Sequence, residues 1–204
     1  MRLTEKYRPN TIDGFLGLET PRRIASKLVA TPIDAAYLFI GEPGSGKTTL
    51  ALAIADAMPA ELHHVPSQEC TLERLKDVIW NCQYVPQLGK RKHLVLIDEA
   101  DEMSRAAQLY LLSKLDSTAF PPDTVFIFTC NSTDKFERRF LERVMPVQFS
   151  SYGNSKELAE FAELVWELEA PKGSKKPNFA TIVKEAVGSV RGTLTTLERL
   201  ILIA

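Results

Sequence analysis

Apolar and polar positions alternate along the chain in two recurring patterns. Short apolar runs of the kind a buried strand needs stand at Tyr37 to Ile40, Leu94 to Ile97 and Val125 to Thr129. Each is followed by a stretch with helical spacing, at Thr48 to Met58, Ser104 to Leu115 and Asp134 to Arg143. Leu62 to Val65 is a weaker strand candidate, and Leu72, Leu75, Ile79 and Cys82 after it fall on one helical face. This alternation predicts a parallel sheet covered by helices, a doubly wound α/β core.

Beyond Phe149 the pattern changes. Leu158, Phe161, Ala162, Val165 and Leu168 share one face of a helix from Ser155 to Glu169, with acids opposite. A loop rich in Lys, Pro and Gly, Pro171 to Asn178, leads to helical candidates at Phe179 to Val187 and Thr193 to Ile203. The expected organisation is an α/β domain over residues 1–151 and a small all-helical domain over 152–204, with the boundary near Ser150 to Asn154. The apolar end Leu200 to Ile203 reads as the buried face of the last helix.

Composition narrows the classes. With 45% hydrophobic and 25% charged residues in 204, the chain is that of an ordinary globular protein able to build a core. Its 25 basic and 26 acidic residues nearly cancel, so any nucleic-acid contact is confined to a local patch. The apolar runs Ala35 to Ile40 and Leu50 to Ala55 are far shorter than the ~18 residues of a membrane span. Polar residues after Met1-Arg2-Leu3 give no secretory signal, so a cytoplasmic protein with no membrane partner is expected. Cys70, Cys82 and Cys130 form no C-x-x-C pair, and His63, His64 and His93 make no ligand spacing with them, so neither a disulfide nor a structural metal is expected.

The chemistry is concentrated at two motifs. Gly41-Glu42-Pro43-Gly44-Ser45-Gly46-Lys47-Thr48 matches G-x-x-x-x-G-K-[ST] between a predicted strand and a predicted helix, the setting of a P-loop. Glycines there let backbone N–H groups converge on phosphate oxygens, the helix dipole adds to the attraction, and Lys47 reaches the β and γ phosphates. Pro43, Gly44, Ser45, Gly46, Lys47, Thr48 and Thr49 are thus candidate ATP-binding residues, with the Thr48 hydroxyl a ligand for Mg²⁺. Leu94-Val95-Leu96-Ile97-Asp98-Glu99 is a buried strand ending in two carboxylates. Asp98 is placed to hold Mg²⁺ and Glu99 to polarise the water that attacks the γ-phosphate. Asp98-Glu99-Ala100-Asp101 also spells the box of a helicase class, but that class needs two motor domains and only one fits.

With these motifs in place the sequence resembles the AAA+ ATPases, and within them the small subunits of clamp loaders of the replication factor C type. Lys6-Tyr7-Arg8-Pro9 and Phe15-Leu16-Gly17 are similar to the family's opening segment, which lies against adenine; the resemblance implies that Tyr7, Arg8, Pro9, Leu16 and Gly17 bind nucleotide. Asp98 to Asp101 with Met103-Ser104 and Ala107-Gln108 resembles its Walker B stretch. Phe128-Thr129-Cys130-Asn131 resembles its sensor 1 strand and Gly188-Ser189-Val190-Arg191 its sensor 2 helix. The resemblance implies that Asn131 orients the attacking water and that Arg191 reaches the γ-phosphate from a helical lid.

Glu142-Arg143-Val144 occupies the place of the family's Ser-Arg-Cys, whose arginine enters the neighbouring subunit's ATP site, so a homo- or hetero-oligomer working through Arg143 is implied. Arg138 and Arg139 are close enough to compete for that role. DNA is implied as a partner through Ser104 and Arg105 at the start of the helix after Walker B, with a sliding clamp or another replication or repair protein beside it. Two departures stand out. The family's Asn-Ala-Ser-Asp-Glu is replaced by Val65-Pro66-Ser67-Gln68-Glu69, which puts a relay to Glu99 through that segment in doubt, and the sequence ends at Ala204, where clamp loaders continue into a helical collar. A DNA-remodelling motor or helicase loader, and a non-catalytic module whose bound nucleotide only sets a conformation, remain open beside the clamp-loader-like ATPase.

Overall fold

A computed structural model of the chain describes residues 1–87, 89–150 and 155–203. Five strands, β1 Ala35–Gly41, β2 Ala60–Val65, β3 Lys92–Ile97, β4 Thr124–Cys130 and β5 Met145–Phe149, form one sheet in the order β2-β3-β4-β1-β5, every pair parallel. The central strands are continuous apolar runs because both faces are covered. Leu94 and Leu96 of β3 pack with Val125 and Ile127 of β4 on one side. Val95 and Ile97 pack with Phe126 and Phe128 on the other. The first face is closed by helices α2 (Glu19–Ala30) and α3 (Lys47–Ala57), the second by α4 (Leu72–Asn81) and α5 (Arg105–Lys114).

The expected strands and the helices between them are present, with ends set by local chemistry. Ser104 caps α5 by accepting the Ala107 N–H at 3.2 Å, and Thr71 caps α4 by accepting the Arg74 N–H at 3.1 Å. The helix expected from Asp134 to Arg143 is shorter, because α6 covers only Arg138–Leu141. Phe136 and Phe140 are both buried and imitate a helical face. The backbone before α6 is held instead by a Ser132–Asp134 turn and by Gln108 Oε1, which accepts the Glu137 N–H at 2.6 Å. Among the described residues, two α-helices and one strand have no counterpart in the expected pattern. They are a short N-terminal helix, α1 (Leu3–Lys6), the long α2, whose buried residues are only Pro21, Ala25 and Leu28, and the edge strand β5. β5 buries Val147 and Phe149 alone and tolerates Pro146 at the sheet's edge.

The helices α7 (Ser155–Glu169), α8 (Phe179–Glu185) and α9 (Val190–Leu202) bury a separate cluster of Ala162, Val165, Trp166, Ile182, Leu194 and Leu197. Leu3 of α1 belongs to this cluster, so it draws on both ends of the chain. Trp166 is buried where Leu168 was expected, since Leu168 lies on the exposed side of α7. Leu202 and Ile203 are likewise exposed, and only Leu200 and Ile201 of that apolar end pack on the cluster. α9 starts three residues before the expected Thr193 because Ser189 caps it, accepting the Gly192 N–H at 3.2 Å. The expected boundary between residues 151 and 152 lies outside the described residues.

Candidate nucleotide-binding site

In a parallel sheet the carboxyl ends of adjacent strands open together, and here β3, β4 and β1 are neighbours. The loop after β1 carries the P-loop, the residues after β3 are Asp98 and Glu99, and the residue after β4 is Asn131. Residues more than 80 positions apart in sequence therefore meet.

Gly44 and Gly46 have φ of 80° and 94°, left-handed values that glycine adopts freely. Space forbids a side chain as well: a Cβ on Gly44 falls 2.6 Å from Ser189 Oγ and 3.1 Å from Arg191 Cβ. The start of α9 is thus seated directly on the P-loop. Ser45 lines the cavity beside it, and its Oγ is buried with no hydrogen-bond partner among the described residues. Lys47 is buried; its Nζ donates to Gly41 O at 2.6 Å, Glu42 O at 3.0 Å and Asn131 Oδ1 at 3.1 Å. Burial pulls its pKa below that of an ordinary lysine, against the opposing pull of neighbours that include Asp101 and Asp98.

Thr48 Oγ1 donates to Asp98 Oδ1 at 2.7 Å, and Thr129 Oγ1 donates to the same oxygen. The Thr129 oxygen in turn accepts the Glu99 N–H at 3.0 Å. This fixes Glu99 in a left-handed conformation, φ 51°, that a non-glycine residue holds only when its surroundings impose it. Its carboxylate accepts a bond from Ser67 Oγ at 3.0 Å. The segment whose departure from the family pattern put a relay in doubt therefore does touch Glu99, through Ser67. Asn131 is placed by its own N–H, which donates to Asp101 Oδ2 at 3.2 Å.

A cavity of ≈ 350 Å³ opens in front of these groups, within the usual range for a small-molecule site. It is lined by Thr48, Thr49 and Asp98, by Tyr7, Arg8, Pro9 and Leu16 from the N-terminal segment, and by Arg191 of α9. Gly17, Pro43, Lys47, Glu99 and Asn131 do not line this cavity, although Lys47 is bonded to Asn131 and Glu99 follows the lining residue Asp98 in the chain. The Tyr7 hydroxyl donates to Glu169 Oε1 at 2.6 Å, the oxygen that Lys6 Nζ also reaches at 2.7 Å. Burial and Glu169 push the Tyr7 pKa up to about 12. Tyr7 thus ties the N-terminal segment to α7 as well as facing the cavity.

Two expected residues stand elsewhere. Arg143 donates to Arg139 O at 2.9 Å and reaches Asp116 Oδ2 at 3.5 Å, in a surface depression outside the chain's own cavity. Arg105 is 81% exposed and lies 3.4 Å from Glu137, an arrangement of weak worth. Motif spacing assigns no role to Thr129 or Ser67; both act through hydroxyls, whose partners such spacing does not reveal. The hard oxygen donors of Thr48 and Asp98, side by side under an amide cradle, suit Mg²⁺ with a polyphosphate.

Fold, cradle and carboxylate pair define a P-loop nucleotide-binding protein. The chain belongs to the ATPase family associated with various cellular activities (AAA), whose model matches residues 37–152. DNA polymerase III subunit gamma of Buchnera aphidicola subsp. Baizongia pistaciae is 24% identical, covering 98% of this chain and 60% of that protein. Replication factor C subunit 3 of Blastobotrys adeninivorans is 29% identical, covering 95% of this chain and 58% of that protein. The chain spans about three fifths of the length of these two relatives. The Thermotoga maritima RuvB Holliday junction branch migration motor matches in fold with a TM-score of 0.72 at 20% identity, covering 95% of this chain and 64% of that one. No helix among the described residues is long and apolar enough to cross a membrane.

Proposed function

We propose that this chain is the nucleotide-binding and hydrolysing module of a Mg²⁺-dependent AAA+ ATPase similar to a clamp-loader small subunit, coupling ATP turnover to assembly on DNA or on a replication or repair partner such as a sliding clamp. The observation that carries this reading is the convergence of Thr48 and Thr129 on Asp98, which lines the cavity one residue before Glu99. Thr48 and Asp98 would hold Mg²⁺, which would supply charge neutralisation for the bound phosphates. The amides of residues 43–48 cradle the phosphates, and the unpartnered Ser45 hydroxyl adds a donor. Lys47, held at hydrogen-bond distance from Asn131, exchanges its backbone acceptors for phosphate oxygens.

Glu99 serves as general base toward the attacking water, and Ser67 holds its carboxylate in place by donating to it. Asn131 orients that water, and Arg191 joins the γ-phosphate from a lid formed by residues 152–204 over the 1–151 domain. Arg143, turned away from its own cavity, supplies positive charge to a neighbour's site in a homo- or hetero-oligomer. Arg105, exposed at the start of α5, contacts DNA phosphates, and the assembly works in the cytoplasm.

Glu99→Gln tests the reading. The variant should bind Mg·ATP with wild-type affinity and lose at least about 100-fold in steady-state turnover, the scale of a general base. Unchanged turnover would remove Glu99 from the chemistry and with it the catalytic assignment.

A further inference from the structure

At the opposite end of the sheet from the nucleotide cavity, β2 and β3 pair in parallel with Glu61 beside His93 and His63 beside Val95. With a side-chain period of two, Glu61, His63 and His93 share the face that α4 covers. Cys82, the residue that ends α4, drops onto the same spot. Motif spacing hides this cluster because its members are 11 and 19 residues apart, on two strands and a helix end.

The donor atoms of His63, Cys82 and His93 all lie within 4.8 Å of one another. Cys82 is fully buried, His93 is 2% exposed and His63 is half-buried. His63 Nε2 and His93 Nδ1 are 3.0 Å apart. The other nitrogen of His93, Nε2, lies 2.9 Å from the carbonyl oxygen of Tyr84. A carbonyl only accepts, so Nε2 carries the proton of the neutral ring and Nδ1 presents its lone pair to His63 and Cys82. A backbone carbonyl holding the far N–H of an imidazole is the support that metal-ligating histidines use. In a tetrahedral zinc site, Zn–N and Zn–S lengths place donors about 3.3 to 3.6 Å from each other. The separations found here, 3.0 Å for the two nitrogens and none above 4.8 Å, bracket that range. Glu61 Oε2, 3.8 Å from His93 Nδ1, is within reach as a fourth donor.

We propose that His63, Cys82 and His93, with Glu61 or water completing the shell, form a structural site for a thiolate- and imidazole-seeking divalent cation of the zinc class. One sulfur with two imidazoles selects such an ion over Mg²⁺ or Ca²⁺. Binding removes the proton from the Cys82 thiol to solvent and moves the His63 ring proton from Nε2 to Nδ1, so one proton is released per metal. Burial otherwise keeps this thiol protonated, with a pKa of about 12. The ion would fasten the edge strand β2 to the segment after α4, which already touches the cluster through Tyr84 O and through the Gln87 N–H donated to Glu61 at 2.9 Å. That segment carries the exposed side chains of Tyr84 and Val85.

The test is a Co²⁺ titration of the purified chain after dialysis against a chelator, followed by the thiolate-to-cobalt charge-transfer absorption and reversed with Zn²⁺. The expected result is one Co²⁺ per chain with that band, displaced by Zn²⁺ and accompanied by a zinc-dependent rise in Tm. Cys82→Ala abolishes the band, and His63→Ala weakens uptake at least about 10-fold. Cys70→Ala and His64→Ala leave it intact. His63 is half-buried on an edge strand, so that variant decides the matter whether or not Cys82→Ala folds. Absence of the band in the wild type, its loss in Cys70→Ala, or uptake unchanged in His63→Ala overturns the proposal, leaving a cluster satisfied by its own hydrogen bonds, including that of Cys82 with Thr124.

Discussion

Thr129 makes two bonds with one hydroxyl: it donates to Asp98 and accepts the amide of Glu99. Thr129→Val keeps the shape and deletes both, leaving the Glu99 N–H without its acceptor. A hydrogen bond contributes a net ~0.5–1.5 kcal/mol, so urea unfolding should show a loss of about 1–3 kcal/mol for the two, and Mg·ATP titration a weaker affinity. Unchanged stability and affinity would mean that Asp98 and Glu99 hold their places without it. Lys47, Thr48, Asp98 and Glu99 were legible in the sequence because their spacing itself encodes phosphate and metal chemistry. Thr129 and Ser67 were not, since a hydroxyl acquires a role only from partners about 30 residues away that the sheet brings alongside. The His63–Cys82–His93 cluster escaped for the same reason.

Among the elements, the end of α8 conflicts with its sequence. Gly188 N donates to Val183 O at 3.0 Å and Val187 N to Lys184 O at 3.1 Å, the pair of bonds that closes a helix through a left-handed residue. That residue is Val187, with φ 52° and 77% exposure, where glycine is the unstrained choice. Val187→Gly should therefore stabilise the fold by about 1 kcal/mol, read as a higher Tm in a thermal melt; a lower Tm would show that the valine side chain contributes more than its backbone costs. β1, β3 and β4 were legible because burial on both faces leaves an uninterrupted apolar run. β5, apolar on one face only, and α2, which buries just Pro21, Ala25 and Leu28, leave no such run. The segment before α6 misled in the opposite sense, because Phe136 and Phe140 are four apart for packing reasons while side chains rather than helical bonds satisfy the backbone.

In the whole molecule, the C-terminal helical cluster joins the rest at the seat of α9 on Gly44 and at the Lys6–Tyr7–Glu169 contact. Hydrogen bonds from Lys6 and Tyr7 hold the Glu169 carboxyl below its ordinary 4.5, so its stabilisation is present above that pH and lost as pH falls through the lowered value. Tyr7 is raised from 10.0 to about 12, so its contribution is complete below pH 10.0 and lost as pH climbs toward 12. The Tm difference between wild type and Glu169→Gln should accordingly be widest at neutral pH and shrink toward both extremes, while a difference constant with pH would exclude a charge-dependent contact. The proposed function requires nucleotide capture by the P-loop beside the C-terminal helices. Isothermal calorimetry of the intact chain with ATP and Mg²⁺ tests it most directly: one nucleotide per chain is expected, with uptake lost in Lys47→Ala, whereas folded wild-type protein that takes up no nucleotide would contradict it.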